Sequence, residues 1–328
     1  MIDIQSILLA RDFSPVSSRA LRFSIDLARR TGATLHILHA QILHADPLTP
    51  GTSATAPGDE DLIRDQLSKY DNGDSVTSGE GKGIKVEEAV VRDVAAAPAI
   101  LRYASEHDMD VICVGTHGRR GIRRFLLGSV AEEVLRRADR PVISVRAPED
   151  ESAAFEAPSR ILVPTDFSDP SREALRHAVE LAQLYDARVD VLHVIQQSLH
   201  PAFYVGGVTD IRDIDPDIEE KVEDRLADFL DETVVGSSAR SSSNGPAVET
   251  ASPMVDAEVM PHVVIGTIDT EVPAFINDHE NDLVVMSTKG QTGLDRVLLG
   301  SVAEKIVRTA PCPVLTVKAG AKSLLANA

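Results

Sequence analysis

Residues 115–130 read GTHGRRGIRRFLLGSV, and residues 287–302 read STKGQTGLDRVLLGSV. Each copy carries a glycine (Gly118, Gly290), nine further residues, and then a Gly-Ser pair (Gly128-Ser129, Gly300-Ser301). An apolar, β-branched run precedes each copy (111–114, 283–286), and a helix-like run follows (130–138, 302–310) before another strand-like run. A glycine-rich turn from strand to helix presents backbone N–H groups and the positive end of the helix dipole, which together favour an anion. The two stretches therefore predict two phosphate loops. A structural role fits part of the pattern as well: Ser129 with Glu132, and Ser301 with Glu304, have the S-x-x-E spacing of a capping box. Several small residues at one helix entrance exceed what a cap needs and suit close backbone approach to a phosphate. Neither stretch is GxxxxGK[ST] or GxGxxG.

Outward from these loops the chain alternates strand and helix. A short apolar run at 6–10 ends at Asp12 and is followed by Ser14-Pro15, an N-cap with proline at the first helical position. Leu21, Ile25 and Ala28, with Ala20, Ser24 and Leu27, predict one buried helix face. A strand follows at 34–40. His36 and His39 are three apart in it and point to opposite faces, so with His44 they are weak metal candidates. Loops at 46–58 and 71–83, rich in Pro, Gly, Ser and Thr, flank a helical candidate at 59–70. A strand at 84–91, a helix at 95–106, a strand at 110–114, the glycine loop with its helix, and a strand at 141–146 complete the pattern. This alternation argues for a mostly parallel sheet with helices on both faces.

The pattern then restarts. Asp12 matches Asp166 and His39 matches His193, both 154 residues apart, whereas Gly118 and Gly290 are 172 apart. The second copy thus holds extra residues, assigned to an acidic helix at 215–233 and a Ser-rich loop at 236–245. Pairing Pro98 with Pro273 makes the second copy of the following helix three residues shorter. The reading is an internal duplication: a first domain at 1–147, a linker at 148–158 and a second domain at 159–328.

With 328 residues, 43% of them apolar, the chain is long enough for about two domains with real cores. No run approaches the roughly 18 apolar residues of a membrane helix, and MIDIQSILLARDF reads as a first strand rather than a signal peptide. A cytoplasmic chain without a membrane partner is expected. Cys113 and Cys312 sit in or beside apolar runs and read as buried free thiols. The net charge of -18 argues against a nucleic-acid partner, although residues 119–146 hold eight arginines against three acids.

Each half resembles a universal stress protein domain. The residues that carry the resemblance are Asp12-Phe13-Ser14 and Pro164-Thr165-Asp166-Phe167-Ser168, then His39 and His193, and the pattern G-x2-G-x9-G-[ST]. Gly115, Gly118, Gly128 and Ser129 fill that pattern in the first half; in the second, Ser287 replaces the first glycine beside Gly290, Gly300 and Ser301. The resemblance implies two tandem α/β domains, each a five-stranded parallel sheet of the Rossmann-like, adenine-nucleotide alpha-hydrolase-like type. It also implies ATP, or AMP or ADP, with or without Mg2+, across the carboxyl ends of the strands, where open α/β sheets bind their ligands. Carried over by position, Ala10, Arg11 and Asp12, and Pro164, Thr165 and Asp166, lie by ribose and base, which Ala40 and Val194 line. The phosphates lie on Gly118, Gly128, Ser129 and Val130, and on Gly290, Gly300, Ser301 and Val302, with Gly115, Arg119 and Ser287 as further contacts. Two departures are Arg11 in the place of Thr165, and the absence of the family's Gly-x-Pro turn at Asp93-Val94-Ala95 and Gly266-Thr267-Ile268.

The function expected is nucleotide-dependent regulation of conformation or partners in a stress response, with little turnover. A slow ATP hydrolase and an interaction module without nucleotide are the alternatives. The halves are expected to form an intramolecular pseudo-dimer through the strands at 141–146 and 313–318, with a further homodimer open. The first loop is expected to hold phosphate more tightly, because Ser287 would restrict a left-handed turn and the arginines surround the first copy.

Overall fold

Uninterrupted apolar runs suit strands covered on both faces, and the computed structural model of the chain builds its sheets around two of them. Ile7, Leu8 and Leu9 of β1 (Ser6–Ala10) and Ile161, Leu162 and Val163 of β6 (Arg160–Pro164) are fully buried. The structure describes residues 2–42, 83–116, 127–146, 156–196, 210–235, 257–288, 299–318 and 320–326. The helical candidate at 59–70 and the Ser-rich loop at 236–245 lie outside them. The chain divides into two units, one built from the first repeat with residues 320–326, the other from the second repeat.

In the first unit β1 is followed by α1 (Pro15–Thr31), β2 (Thr34–Ile42), β3 (Val86–Asp93), α2 (Ala96–Glu106), β4 (Val111–Gly115), α3 (Ser129–Arg137) and β5 (Val142–Val145). The strands are parallel in the order β3-β2-β1-β4-β5. The second unit repeats this with β6, α4 (Asp169–Tyr185), β7 (Arg188–Gln196), α5 (Ile218–Leu230), β8 (Val259–Gly266), α6 (Ile268–Asp278), β9 (Leu283–Ser287), α7 (Ser301–Thr309) and β10 (Val314–Val317), in the order β8-β7-β6-β9-β10. A one-turn 3-10 helix (Ile211–Asp213) precedes the acidic helix expected at 215–233, which is α5 closed by a π turn (Asp231–Val235).

The first helix of each unit starts where turn chemistry dictates. Ser14 and Ser168 cap α1 and α4, each hydroxyl accepting from the N–H three residues on, with proline in the first turn. Gly32, at φ 75°, ends α1 in the left-handed region that glycine enters without cost. The face predicted for α1 is the buried one, Ala20, Leu21, Ser24, Ile25, Leu27 and Ala28 included.

Three expectations are corrected. Ser129 and Ser301 are the first residues of α3 and α7, not their caps: Gly128 and Gly300 hold the N-cap positions and no side chain caps either helix. Pro273 lies inside α6, whose length of 11 residues equals that of α2, so the prolines at 98 and 273 are not equivalent. β3 begins and ends two residues later than its apolar run, at Asp93, because it pairs with β2 along its whole length, from Leu35↔Val86 to Ile42↔Asp93. The charges at Glu87, Glu88 and Arg92 sit on this edge strand and hide its end from a hydropathy reading.

The last described segment belongs to the first unit. Leu324 is buried, its carbonyl accepts from Asp3 N at 2.7 Å, and Lys322 Nζ lies 2.7 Å from Asp110 and 2.8 Å from Asp108.

Candidate functional site

The strand order reverses on either side of β1 and of β6, since the chain moves to one neighbour first and later to the other. A crevice opens at such a switch point beyond the carboxyl ends of the strands. In the second unit it is a cavity of about 540 Å³, within the ~300–1,000 Å³ usual for small-molecule sites.

The floor is the turn from β6 into α4. Phe167 adopts φ 64° and Phe13, in the first unit, φ 62°, a region that costs a bulky residue roughly 1–2 kcal/mol. Contact with a histidine ring, stacked in the second unit and tilted in the first, offsets that cost. Phe167 lies 4.2 Å from the His193 ring at 25°, and Phe13 lies 4.8 Å from His39. Each histidine is fixed by a bond from Nδ1 to the turn backbone, 2.9 Å to the Thr165 carbonyl and 2.8 Å to that of Arg11. A carbonyl only accepts, so Nδ1 carries the proton. Burial lowers the His193 pKa; the bond to Thr165 opposes this, Arg225 adds to it, and Asp166 opposes it. The ring is therefore neutral near pH 7, with Nε2 left as an acceptor. The turn also sets the carboxylates: Asp166 accepts from Ser168 N at 3.1 Å, and Asp12 accepts from Ser14 N at 3.0 Å and Oγ at 2.7 Å.

β7 runs beyond the end of β6. The Leu192 carbonyl accepts from Thr165 N at 2.9 Å, and in a parallel strand alternate residues direct their N–H and C=O to the same side. Val194 therefore aims its backbone donor and acceptor past the end of β6, into the cavity it lines. Ala40 has the same relation to Leu38, whose carbonyl accepts from Arg11 N at 2.8 Å.

The opposite wall is the entrance to α7. Gly300 N donates to the Thr288 carbonyl at 2.9 Å, as Gly128 N does to Thr116 at 2.6 Å. A Cβ on Gly300 would lie 3.1 Å from that carbonyl oxygen. With no side-chain cap on α7, its first N–H groups have no intrahelical partner. Beside them Thr288 is 2% exposed, lines the cavity, and has no hydrogen-bond partner for Oγ1 among the described residues. Buried polar groups of this kind normally find one.

Of the residues singled out in the sequence, the cavity brings together Pro164, Thr165, Asp166, Val194, Ser287, Gly300, Ser301 and Val302. Ala10, Arg11, Asp12, Ala40, Gly115, Gly128, Ser129 and Val130 occupy the corresponding places in the first unit. Gly118, Arg119 and Gly290 lie outside the described residues. The sequence reading missed Thr288, and also Val222 and Arg225 of α5 and Ile268 and Val272 of α6, which line the cavity too. Thr288 had a signal: Thr116 and Thr288 occupy one position of the duplicated loop.

The two sites differ at their floors. Thr165 pairs its hydroxyl with Ser171 at 3.0 Å and accepts from Phe167 N at 3.1 Å. Arg11 is 4% exposed and reaches instead to the hydroxyls of Ser17 and Ser18 at 3.4 and 3.2 Å, so its guanidinium lies against the start of α1. The strain expected at Ser287 is absent, because neither Ser287 nor Gly115 has a positive φ. Gly115 answers a different need: a Cβ there would meet Val16 Cγ1 at 3.1 Å and Ser17 N at 3.4 Å.

The profile of the universal stress protein family matches residues 3–146 and again 158–318. A universal stress protein of Mycolicibacterium smegmatis is 26% identical over 317 residues, which is 95% of this chain and 96% of the relative. Universal stress protein MJ0531 of Methanocaldococcus jannaschii is 32% identical over 159 residues, covering 48% of this chain and 81% of its own length. Among solved structures, a universal stress protein from Archaeoglobus fulgidus superposes with a TM-score of 0.57 at 20% identity, over 96% of this chain and 98% of that one.

Proposed function

The chain belongs to the universal stress protein family, and from that premise we propose that its second repeat binds an adenine nucleotide such as ATP, ADP or AMP. Bound nucleotide then biases conformation or partner choice in a stress response, with little turnover. The observation that carries this reading is Thr288: a buried hydroxyl without a partner among the described residues, beside an uncapped helix start, on the wall of a cavity. A phosphate oxygen would satisfy both the hydroxyl and the α7 N–H groups, whose dipole favours negative charge. The backbone of Val194 suits the edge of a base, which presents a donor and an acceptor side by side. Asp166, at the middle of the cavity floor, suits ribose hydroxyls.

The second repeat is the stronger candidate. Arg11 fills the floor of the first site with a buried cation, whereas Thr165 leaves a small, neutral floor in the second.

The test is titration of ATP and AMP into the full chain by calorimetry, with Gly300→Val and Gly128→Val as variants. Wild type is expected to bind, and Gly300→Val to weaken binding at least about tenfold by blocking approach to the helix start. Loss of binding in Gly128→Val alone would move the site to the first repeat. No heat at millimolar nucleotide, and none released from the purified protein on denaturation, would leave an interaction module as the reading.

A further inference from the structure

The floor of the second cavity carries a cation that the duplicated motifs do not account for. Arg225 lies on α5, a helix crowded with acids, yet it forms no ion pair among the described residues. Its neighbours Lys221, Arg212 and Arg172 all do, with Asp215, Glu219 and Glu232 respectively. The Arg225 guanidinium instead lies over the Phe167 ring, 4.6 Å from its centroid, on top of the Phe167–His193 stack, and lines the cavity. His193 feels the charges of both Arg225 and Asp166, so the two belong to the same end of the site. β6 and β7 carry that end of the cavity, while the α7 entrance follows β9, which pairs with β6 on the side opposite β7.

The helix that carries this arginine is held by packing and hydrogen bonds on its neighbours. Leu226 and Phe229 of α5 are buried, Phe229 one turn on from Arg225 with its ring 5.7 Å from that of Phe167, and Arg172 holds the end of the helix by donating to Thr233 Oγ1 at 2.8 Å with its own guanidinium over Phe229. Cation–π contact at an exposed site is weak and uses only the face of the guanidinium. The N–H donors along its edge keep the fork geometry that matches a phosphate.

We propose that Arg225 makes the second site selective for an adenine nucleotide with an additional phosphate on its ribose, the 5′-phosphate resting at the α7 entrance and the ribose phosphate on Arg225. This rests on the nucleotide reading given above. In dinucleotide sites an acidic residue takes the ribose hydroxyls and a nearby arginine accommodates a ribose phosphate; here Asp166 and Arg225 supply both at once. The carboxylate repels a second phosphate, and the arginine is what makes that phosphate acceptable.

The experiment compares AMP, adenosine 3′,5′-bisphosphate and adenosine 2′,5′-bisphosphate on the full chain, wild type and Arg225→Gln. At least one bisphosphate is expected to bind about tenfold more tightly than AMP, the equivalent of one good charge-assisted pair. The preferred isomer identifies the hydroxyl that faces Arg225. Arg225→Gln should reduce the preference to less than about twofold while AMP affinity stays within about twofold. Bisphosphates no tighter than AMP, or a preference that survives Arg225→Gln, would overturn the assignment while leaving the nucleotide reading in place. Absence of AMP and ATP binding would remove both. An exposed side chain on a helix anchored elsewhere is a safe place for substitution, and circular dichroism of the variant checks that α5 is retained.

Discussion

Thr288 and Phe167 are the residues at which local cost is visible. A buried hydroxyl without a partner lowers stability by about 1–3 kcal/mol, which a protein tolerates when a ligand supplies the missing bond. Thr288→Val keeps the shape and removes the hydroxyl. The ligand-free protein is therefore expected to gain roughly 1 kcal/mol, and nucleotide affinity to fall about tenfold. Urea unfolding without ligand and calorimetric titration read the two effects, whose opposite signs separate a ligand-binding hydroxyl from one that is merely structural. If stability falls and affinity holds, Thr288 is not a phosphate contact. The Phe-His stack was half legible: Asp-Phe-Ser and the later histidine recur in both repeats, but nothing in the spelling says that each phenylalanine adopts a positive φ against its histidine.

At the scale of elements, cap chemistry was readable for α1 and α4 and misread for α3 and α7. Ser14 directly precedes a proline and Ser168 stands two residues before one; proline has no N–H to be capped and fits the first turn, which favours these registers. Ser129 and Ser301 have glycine before them, and both residues are acceptable at an N-cap; the tie is broken by the bond from the glycine N–H back to Thr116 or Thr288. The caps of α1 and α4 should therefore respond to substitution and the serines at the starts of α3 and α7 should not. Ser14→Ala is expected to cost about 1 kcal/mol in chemical denaturation, since its hydroxyl accepts from Ser17 N at 3.2 Å. Ser129→Ala is expected to change stability by less than about 0.5 kcal/mol. Equal losses in the two variants would restore the capping box. α5 shows the limit of periodicity: its acids announce a solvated face, while the inward turn of Val222 and Arg225 depends on how Leu226 and Phe229 pack.

For the whole molecule, buried and half-buried histidines set the response to acid. Burial lowers the pKa of His36, His177 and His193 from the ordinary 6.5, His36 with its Nδ1 3.0 Å from the Tyr103 hydroxyl and His177 with Nδ1 donating to the Glu173 carbonyl at 2.8 Å. Below about pH 6.5 the unfolded chain takes up protons that these folded histidines refuse, so the unfolded state binds more protons and stability falls as pH falls. The stabilisation is complete above that pH and is lost progressively down to the lowered folded values. The urea midpoint is expected to be lower at pH 5.5 than at pH 7.5, with a smaller difference in His177→Gln. A midpoint that rises on acidification would show that these rings are charged in the folded protein.

By itself the sequence determined the alternation of strands and helices, the duplication, the strand ends that carry Asp12 and Asp166, and the glycine-serine entrances to α3 and α7. These are short-range matters, decided by hydrophobic period and by the backbone freedom of a few adjacent residues. Tertiary structure alone decided which small residue stands at a cap, that Gly115 is there to admit Val16 and Ser17, and that the Thr288 hydroxyl is left without a partner among the described residues. It also decided that Arg225 lies over Phe167 and that Leu324 is buried in the first unit. Each depends on the distance between atoms far apart in the chain, and such distances follow from packing, which no local pattern encodes.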